Sequence, residues 1–142
     1  MAIIMRKILP IFCLLLISAT ANADDDDWEM VATSDTVDFY LSPNRISNAS
    51  PSFPESAKYT IAEAWVKNIH KTNSKTLKRG DFGMSLVRFS CPVRTYEVIS
   101  ENLYSKNKKL ISSSNEYSTD IVIPNTTMEA AARVACDFIS QQ

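Results

Sequence analysis

The segment Thr126–Ile139 reads TTMEAAARVACDFI, and the segment Phe82–Cys91 reads FGMSLVRFSC. In the first, Met128, Ala131, Ala132, Ala135 and the pair Phe138/Ile139 recur at the spacing of one helical face, with Cys136 beside that stripe. Thr126 with Glu129 three residues later matches a capping box, so the helix is expected to begin there. In the second, Ser85, Val87, Phe89 and Cys91 fall on one face at the two-residue period of a strand. One helix after a series of strand-like runs predicts an α+β chain. Its expected form is an antiparallel meander sheet of about six strands with one C-terminal helix packed on it.

The remaining strands follow from the same period. Trp28–Ala32 and Val37–Leu41 flank the polar Ser34-Asp35-Thr36 and read as a hairpin. Ser42–Ser56, with Pro43, Pro51 and Pro54 among asparagines and serines, reads as a connecting loop. Tyr59–His70 is a long third strand, and Pro92-Val93-Arg94 turns the fourth strand into the fifth, Thr95–Tyr104. Ser105–Lys108 is a tight turn into a short sixth strand, Lys109–Ser113. Ile121-Val122-Ile123 fits either a further strand or a packed connector. Trp28, Trp65, Tyr40, Tyr59, Tyr96, Tyr104 and Tyr117 are expected to pack the core, although an exposed Trp65 and Tyr96 would favour docking of a partner.

The amino terminus reads as an export signal. Arg6 and Lys7 precede the apolar run Ile8–Ile17, and Ala21-Asn22-Ala23 ends the segment with the small-residue cleavage pattern. The run is shorter than the roughly 20 apolar residues needed to span a bilayer. Residues 1–23 are therefore expected to be a signal peptide cleaved after Ala23, and 24–142 a single domain with its core in 28–139. Cys13 lies inside the apolar run and not at the cleavage point, so it is expected to leave with the signal, without lipidation. Two cysteines then remain, Cys91 and Cys136, with one internal pairing open to them. In an exported chain they predict a disulfide; two separate buried thiols are the competing reading. Closing a loop of about 45 residues contributes ~4 kcal/mol in the simple chain-entropy picture.

Composition narrows the function. The 142 residues carry 15 Lys+Arg and 16 Asp+Glu, a net charge of −1; loss of Arg6 and Lys7 with the leader leaves 13 basic against 16 acidic groups, or −3. Such a balance offers no general attraction to nucleic acid. Two glycines argue against phosphate-cradling loops, and a single histidine leaves little for metal or acid–base chemistry. The patterns G-x-S-x-G, G-x-x-x-x-G-K-[ST] and H-E-x-x-H are not found in the sequence, so no catalytic, cofactor or metal residues are expected, and His70 reads as a polar strand end. Asp24–Asp27 reads as a solvated tail.

In a meander, alternate connections lie at one end of the sheet. Connection 71–81 and turn 105–109 are therefore expected to meet, bringing Lys71, Lys75, Lys78, Arg79, Lys106, Lys108 and Lys109 together against Asp81, with Asp24–Asp27 at the other end. Such a tip suits an acidic protein patch or a sulfated glycan. The plainer reading is that lysine-rich loops are solvated and discourage edge-to-edge association.

The order of features resembles the surface-adhesin protein E-like domain of Gram-negative bacteria. The residues that carry it are Trp28-Glu29-Met30-Val31, Phe39-Tyr40-Leu41, Trp65-Val66-Lys67, Val87-Arg88-Phe89-Ser90-Cys91, Tyr96-Glu97-Val98-Ile99, and Pro124 through Val134-Ala135-Cys136. The resemblance covers residues 28 to about 139. It implies an antiparallel sheet with a packed terminal helix in a non-enzymatic protein, exported to the periplasm or cell surface. It further implies binding of host matrix or serum proteins and association as a homodimer. Two departures stand out. This chain has no lipidation cysteine at its cleavage site, which makes soluble periplasmic residence, as a structural or inhibitor-type protein of the envelope, the alternative to surface display. The family's glycine in the turn after the fifth strand is replaced around Asn107, a residue type that tolerates the left-handed conformation.

Overall fold

The computed structural model describes residues 27–50, 60–91 and 94–142. The signal segment 1–23, Asp24–Asp26, the prolines Pro51 and Pro54, Tyr59, and Pro92-Val93 lie outside the described residues. The elements are β1 (Glu29–Thr33), β2 (Val37–Asn48), β3 (Ile61–His70), β4 (Phe82–Ser90), β5 (Thr95–Tyr104), β6 (Leu110–Ser114), β7 (Ser118–Ile121) and α1 (Thr127–Ser140). The expected antiparallel meander with one packed helix is what forms, with the strands in the order β1-β2-β3-β4-β5-β6. A seventh strand, β7, joins it by pairing with β5.

Strand β5 is long enough to carry two partners along one edge. Glu101–Tyr104 pair with β6 and Thr95–Val98 with β7, so the Ile121 region is a strand that runs back along β5. All residues of β6 and β7 are exposed, Leu110, Ile111 and Ile121 among them, and the edge they form is short and interrupted.

β2 differs from the expected hairpin strand. It does not end at Leu41 but continues through Pro43 to Asn48. Leu41 pairs with Val66 and Ile46 with Ala64, so Ser42–Arg45 stand opposite Trp65 alone. This wide bulge accommodates Pro43, which has no N–H for the ladder, and pairing resumes at Ile46.

The core lies between the helix and one face of the sheet. Leu41, Ile46, Ala62, Ala64, Val66, Val87 and Phe89 form one buried cluster with Ala131, Ala135 and Ile139 of α1. Alanines on both β3 and α1 leave little side chain between them, and the helix packs mainly over β1, β2 and β3. Thr126 caps α1 by accepting the Glu129 N–H at 3.2 Å, while the Glu129 carboxylate accepts the Asn125 N–H at 2.6 Å. The reciprocal arrangement is a capping box shifted by one residue on its return bond. Cys91, just after β4, is bonded to Cys136 of α1, with Cα atoms 5.8 Å apart. The oxidised clamp expected from the cysteine count is present.

Among the described residues, no helix packs on the opposite face of the sheet. Tyr40, Lys67, Met84 and Asn102 form one cross-strand row on it, and Asp38, Ile69, Phe82 and Tyr104 the next. The expectation that the tyrosines and tryptophans build the core therefore fails for most of them. Tyr96 packs against the core. Trp65, Tyr40 and Tyr104 are half-buried on the open face, and Tyr117 is 69% exposed. Trp65 and Tyr96 lie on opposite faces, so they form no joint aromatic patch.

Candidate functional site

The connection 71–81 and the turn 105–109 do meet, and Asp81 joins them. This residue is 5% exposed. One carboxylate oxygen accepts the Lys78 N–H at 2.8 Å and the other the Lys106 N–H at 3.1 Å. The Lys78 N–H holds the Asp81 carboxyl below the usual carboxylate range despite its burial, and Lys106 N–H and the Lys78 and His70 charges add to the effect. Gly80, at φ 92, lies so close to Lys106 that an added Cβ would stand 3.3 Å from the Lys106 Cβ. The Asp81 side chain thus fastens the two basic loops together through their backbone N–H groups.

Lys75, Lys78, Arg79, Lys106, Lys108 and Lys109 are all exposed at this end. Lys71 is engaged differently. Its Nζ donates to Thr33 Oγ1 at 3.1 Å and to the Ser34 carbonyl at 2.8 Å, and pairs with Asp38 at 3.3 Å. It ties β3 to the β1–β2 turn, and its role is internal. Asp38 is held below the usual carboxylate range, first by the Thr33 hydroxyl and then by Lys71, against its own desolvation. The same turn adds Asp35 and Asp38 to an end that the sequence reading assigned Asp81 alone. His70, the last residue of β3, donates its N–H to the Asp81 carbonyl at 2.9 Å, in keeping with a strand-end role. Asp27, the described member of the acidic run, lies at the waist of the sheet and not at its far end: its carboxylate accepts the Ser42 hydroxyl at 3.1 Å beside the β2 bulge.

The open face holds a feature the sequence reading missed. A cleft of about 200 Å³ is lined by Trp28, Arg45, Lys67, Phe82, Met84, Tyr104 and Lys108. The Arg45 guanidinium lies 5.3 Å from the Trp28 ring centre, and the Lys67 ammonium lies 5.4 Å from Trp28 and 5.3 Å from Phe82. Phe82 and Tyr104 stack at 5.2 Å with 19° between their planes. Each contact is an ordinary cation–π or aromatic pair. The period of two around Trp65-Val66-Lys67 would have placed Lys67 on the face opposite the core. Arg45 had no such signal, because the bulge opposite Trp65 sets its position.

Lys108, shared by the cleft and the basic tip, has φ 64. Its N–H donates to the Ser105 carbonyl at 2.8 Å, closing a turn whose last loop residue is left-handed. The left-handed position expected near Asn107 thus falls on the lysine after it. A second cavity, about 180 Å³, lies beside the Cys91–Cys136 bridge and is bordered by Arg94, Val122, Glu129 and Arg133. Among the described residues no group of three or more His, Cys, Asp or Glu is placed to hold a metal ion, and no helix is long and apolar enough to cross a membrane.

No family model matches the chain, and no curated protein or solved structure matches it significantly.

Proposed function

We propose that this chain is an exported, non-enzymatic binding module of the surface-adhesin protein E-like kind, with its signal peptide removed after Ala23, that docks an acidic face of a protein partner through the end of its sheet. The observation that carries the reading is the Asp81 bridge. A carboxylate bound to two backbone N–H groups fastens two lysine-rich loops into one platform while leaving Lys75, Lys78, Arg79, Lys106 and Lys109 exposed. A rigid platform loses less side-chain and loop freedom on binding than two separate loops would. The helix–sheet disulfide suits an oxidising compartment.

The test pairs charge reversal with a choice of anion. The oxidised chain 24–142 is run on polyglutamate and on heparin columns, alongside Lys75→Glu/Arg79→Glu. Earlier salt elution of the variant from polyglutamate is the expected result. Elution unchanged on both columns would sink the proposal, and a shift confined to heparin would redirect it to a sulfated glycan. Protease accessibility on intact cells distinguishes surface display from periplasmic residence.

A further inference from the structure

We infer that the cavity beside the Cys91–Cys136 bridge is a second binding site, one that takes a small apolar carboxylate of about the size of phenylacetate. It lies at the end of the sheet away from the basic tip, because the β4–β5 turn alternates along the meander with connection 71–81 and turn 105–109. It is independent of the acidic-partner reading.

Four parts of the chain converge to build it. The end of β4 supplies Phe89, which is 1% exposed, followed by Cys91; the next turn supplies Arg94; and α1 supplies Ala132 and Cys136. The fourth part is Val122, just after β7. It is buried while its neighbours Ile121 and Ile123 are exposed, and its N–H donates to the Arg94 carbonyl at 2.8 Å. An aromatic ring, a valine, an alanine and the disulfide thus form an apolar lining.

The charges at its border sort themselves. Glu129 and Arg133 pair with each other at 3.5 Å, and Glu129 also accepts the Asn125 N–H. Arg94 is different. Its backbone is left-handed, at φ 53, and is fixed from both sides: its own N–H donates to the Ser90 carbonyl at 3.0 Å, and its carbonyl receives Val122. Holding a side-chain-bearing residue there is unfavourable and persists because the surroundings impose it. Among the described residues the Arg94 side chain, which is exposed, has no hydrogen-bond or ion-pair partner. Ser90 and Thr95 add hydroxyls to the lining. An unpaired guanidinium on a fixed backbone, beside an apolar cavity, is complementary to an anion that carries an apolar group.

The volume sets the size of that group. About 180 Å³ exceeds the roughly 150 Å³ of an apolar cavity that admits benzene, so a ring with a short acidic tail fits and a drug-sized ligand does not. A free acid and the C-terminal residue of a peptide present the same chemistry.

NMR titrations of the oxidised chain 24–142 test this with phenylacetate, its neutral isostere phenylacetamide, and acetate. Phenylacetate is expected to bind with a Kd of about 1 mM or tighter, and at least about tenfold tighter than either of the others. The Val122 and Ala132 methyl resonances are expected to move, and the Trp28 and Trp65 indole signals to stay. Arg94→Asn, a residue type that accepts left-handed backbone, is expected to lower phenylacetate to the affinity of phenylacetamide. Ala132→Leu places a larger side chain in the cavity and is expected to abolish binding. Thermal melting verifies that each variant is folded. The peptide acetyl-Gly-Gly-Phe with a free carboxylate identifies the source: binding tighter than phenylacetate assigns the site to a chain terminus, weaker binding to a free acid.

No binding of phenylacetate, equal affinity for the acid and its amide, a preference that survives Arg94→Asn, or shifts centred on the tryptophans would overturn the inference. None of these results touches the reading of the basic tip.

Discussion

The Asp81 carboxylate accepts the Lys106 backbone N–H at 3.1 Å across 25 residues of chain. Through that bond and its partner at Lys78, a single buried acid links two lysine-rich loops that also approach closely at Gly80 and Lys106. Asp81→Asn keeps the shape but replaces one of the two accepting oxygens with an amide nitrogen that cannot accept, so the variant should melt below the wild type at neutral pH. The pH dependence has a definite sign. Because the folded Asp81 titrates below its ordinary value of 3.8, its contribution is present above that value and is lost as pH falls through the depressed one. The melting-temperature gap between wild type and variant should therefore close on acidification below about pH 4. A gap that stays constant would show that the charge on Asp81 does not matter.

The clamp between Cys91 and Cys136 spans 45 residues of sequence. Reduction, or the double change Cys91→Ser/Cys136→Ser, should cost about 2–5 kcal/mol in urea unfolding. The helix is the element that loosens, because α1 packs chiefly on β1–β3 and the bridge is its principal link to the β4 side. Hydrogen exchange should rise first in α1. Exchange rising first in β4 would contradict this order.

Gly83 faces the Asn68 side chain, whose carbonyl oxygen accepts the Gly83 N–H at 2.7 Å. A methyl group at position 83 would collide with that carboxamide. Gly83→Ala should destabilise the fold by about 1–3 kcal/mol, and adding Asn68→Ala should recover part of the loss. Equilibrium unfolding of the two single variants and the double variant measures the coupling.

Much of this architecture follows from short-range pattern. The stripe from Met128 to Ile139, the Thr126/Glu129 cap and the alternation along Phe82–Cys91 each involve residues a few positions apart, so the rules of helix and strand reach them directly. The same alternation, with the rule that consecutive antiparallel strands are neighbours, places 71–81 and 105–109 at one end.

Other features depended on partners distant in the chain. Pro43 looks like the start of a loop, yet β2 passes through it because Trp65 on β3 tolerates a bulge of four residues, which needs the register of both strands to be known. That bulge carries Arg45 onto the face where β1 brings Trp28 and β3 brings Lys67, and so creates the cleft. Which aromatic rings are buried was likewise set by the helix covering one face: strand periodicity sorts residues into two sets, and only the docking of α1 makes one of those sets the core.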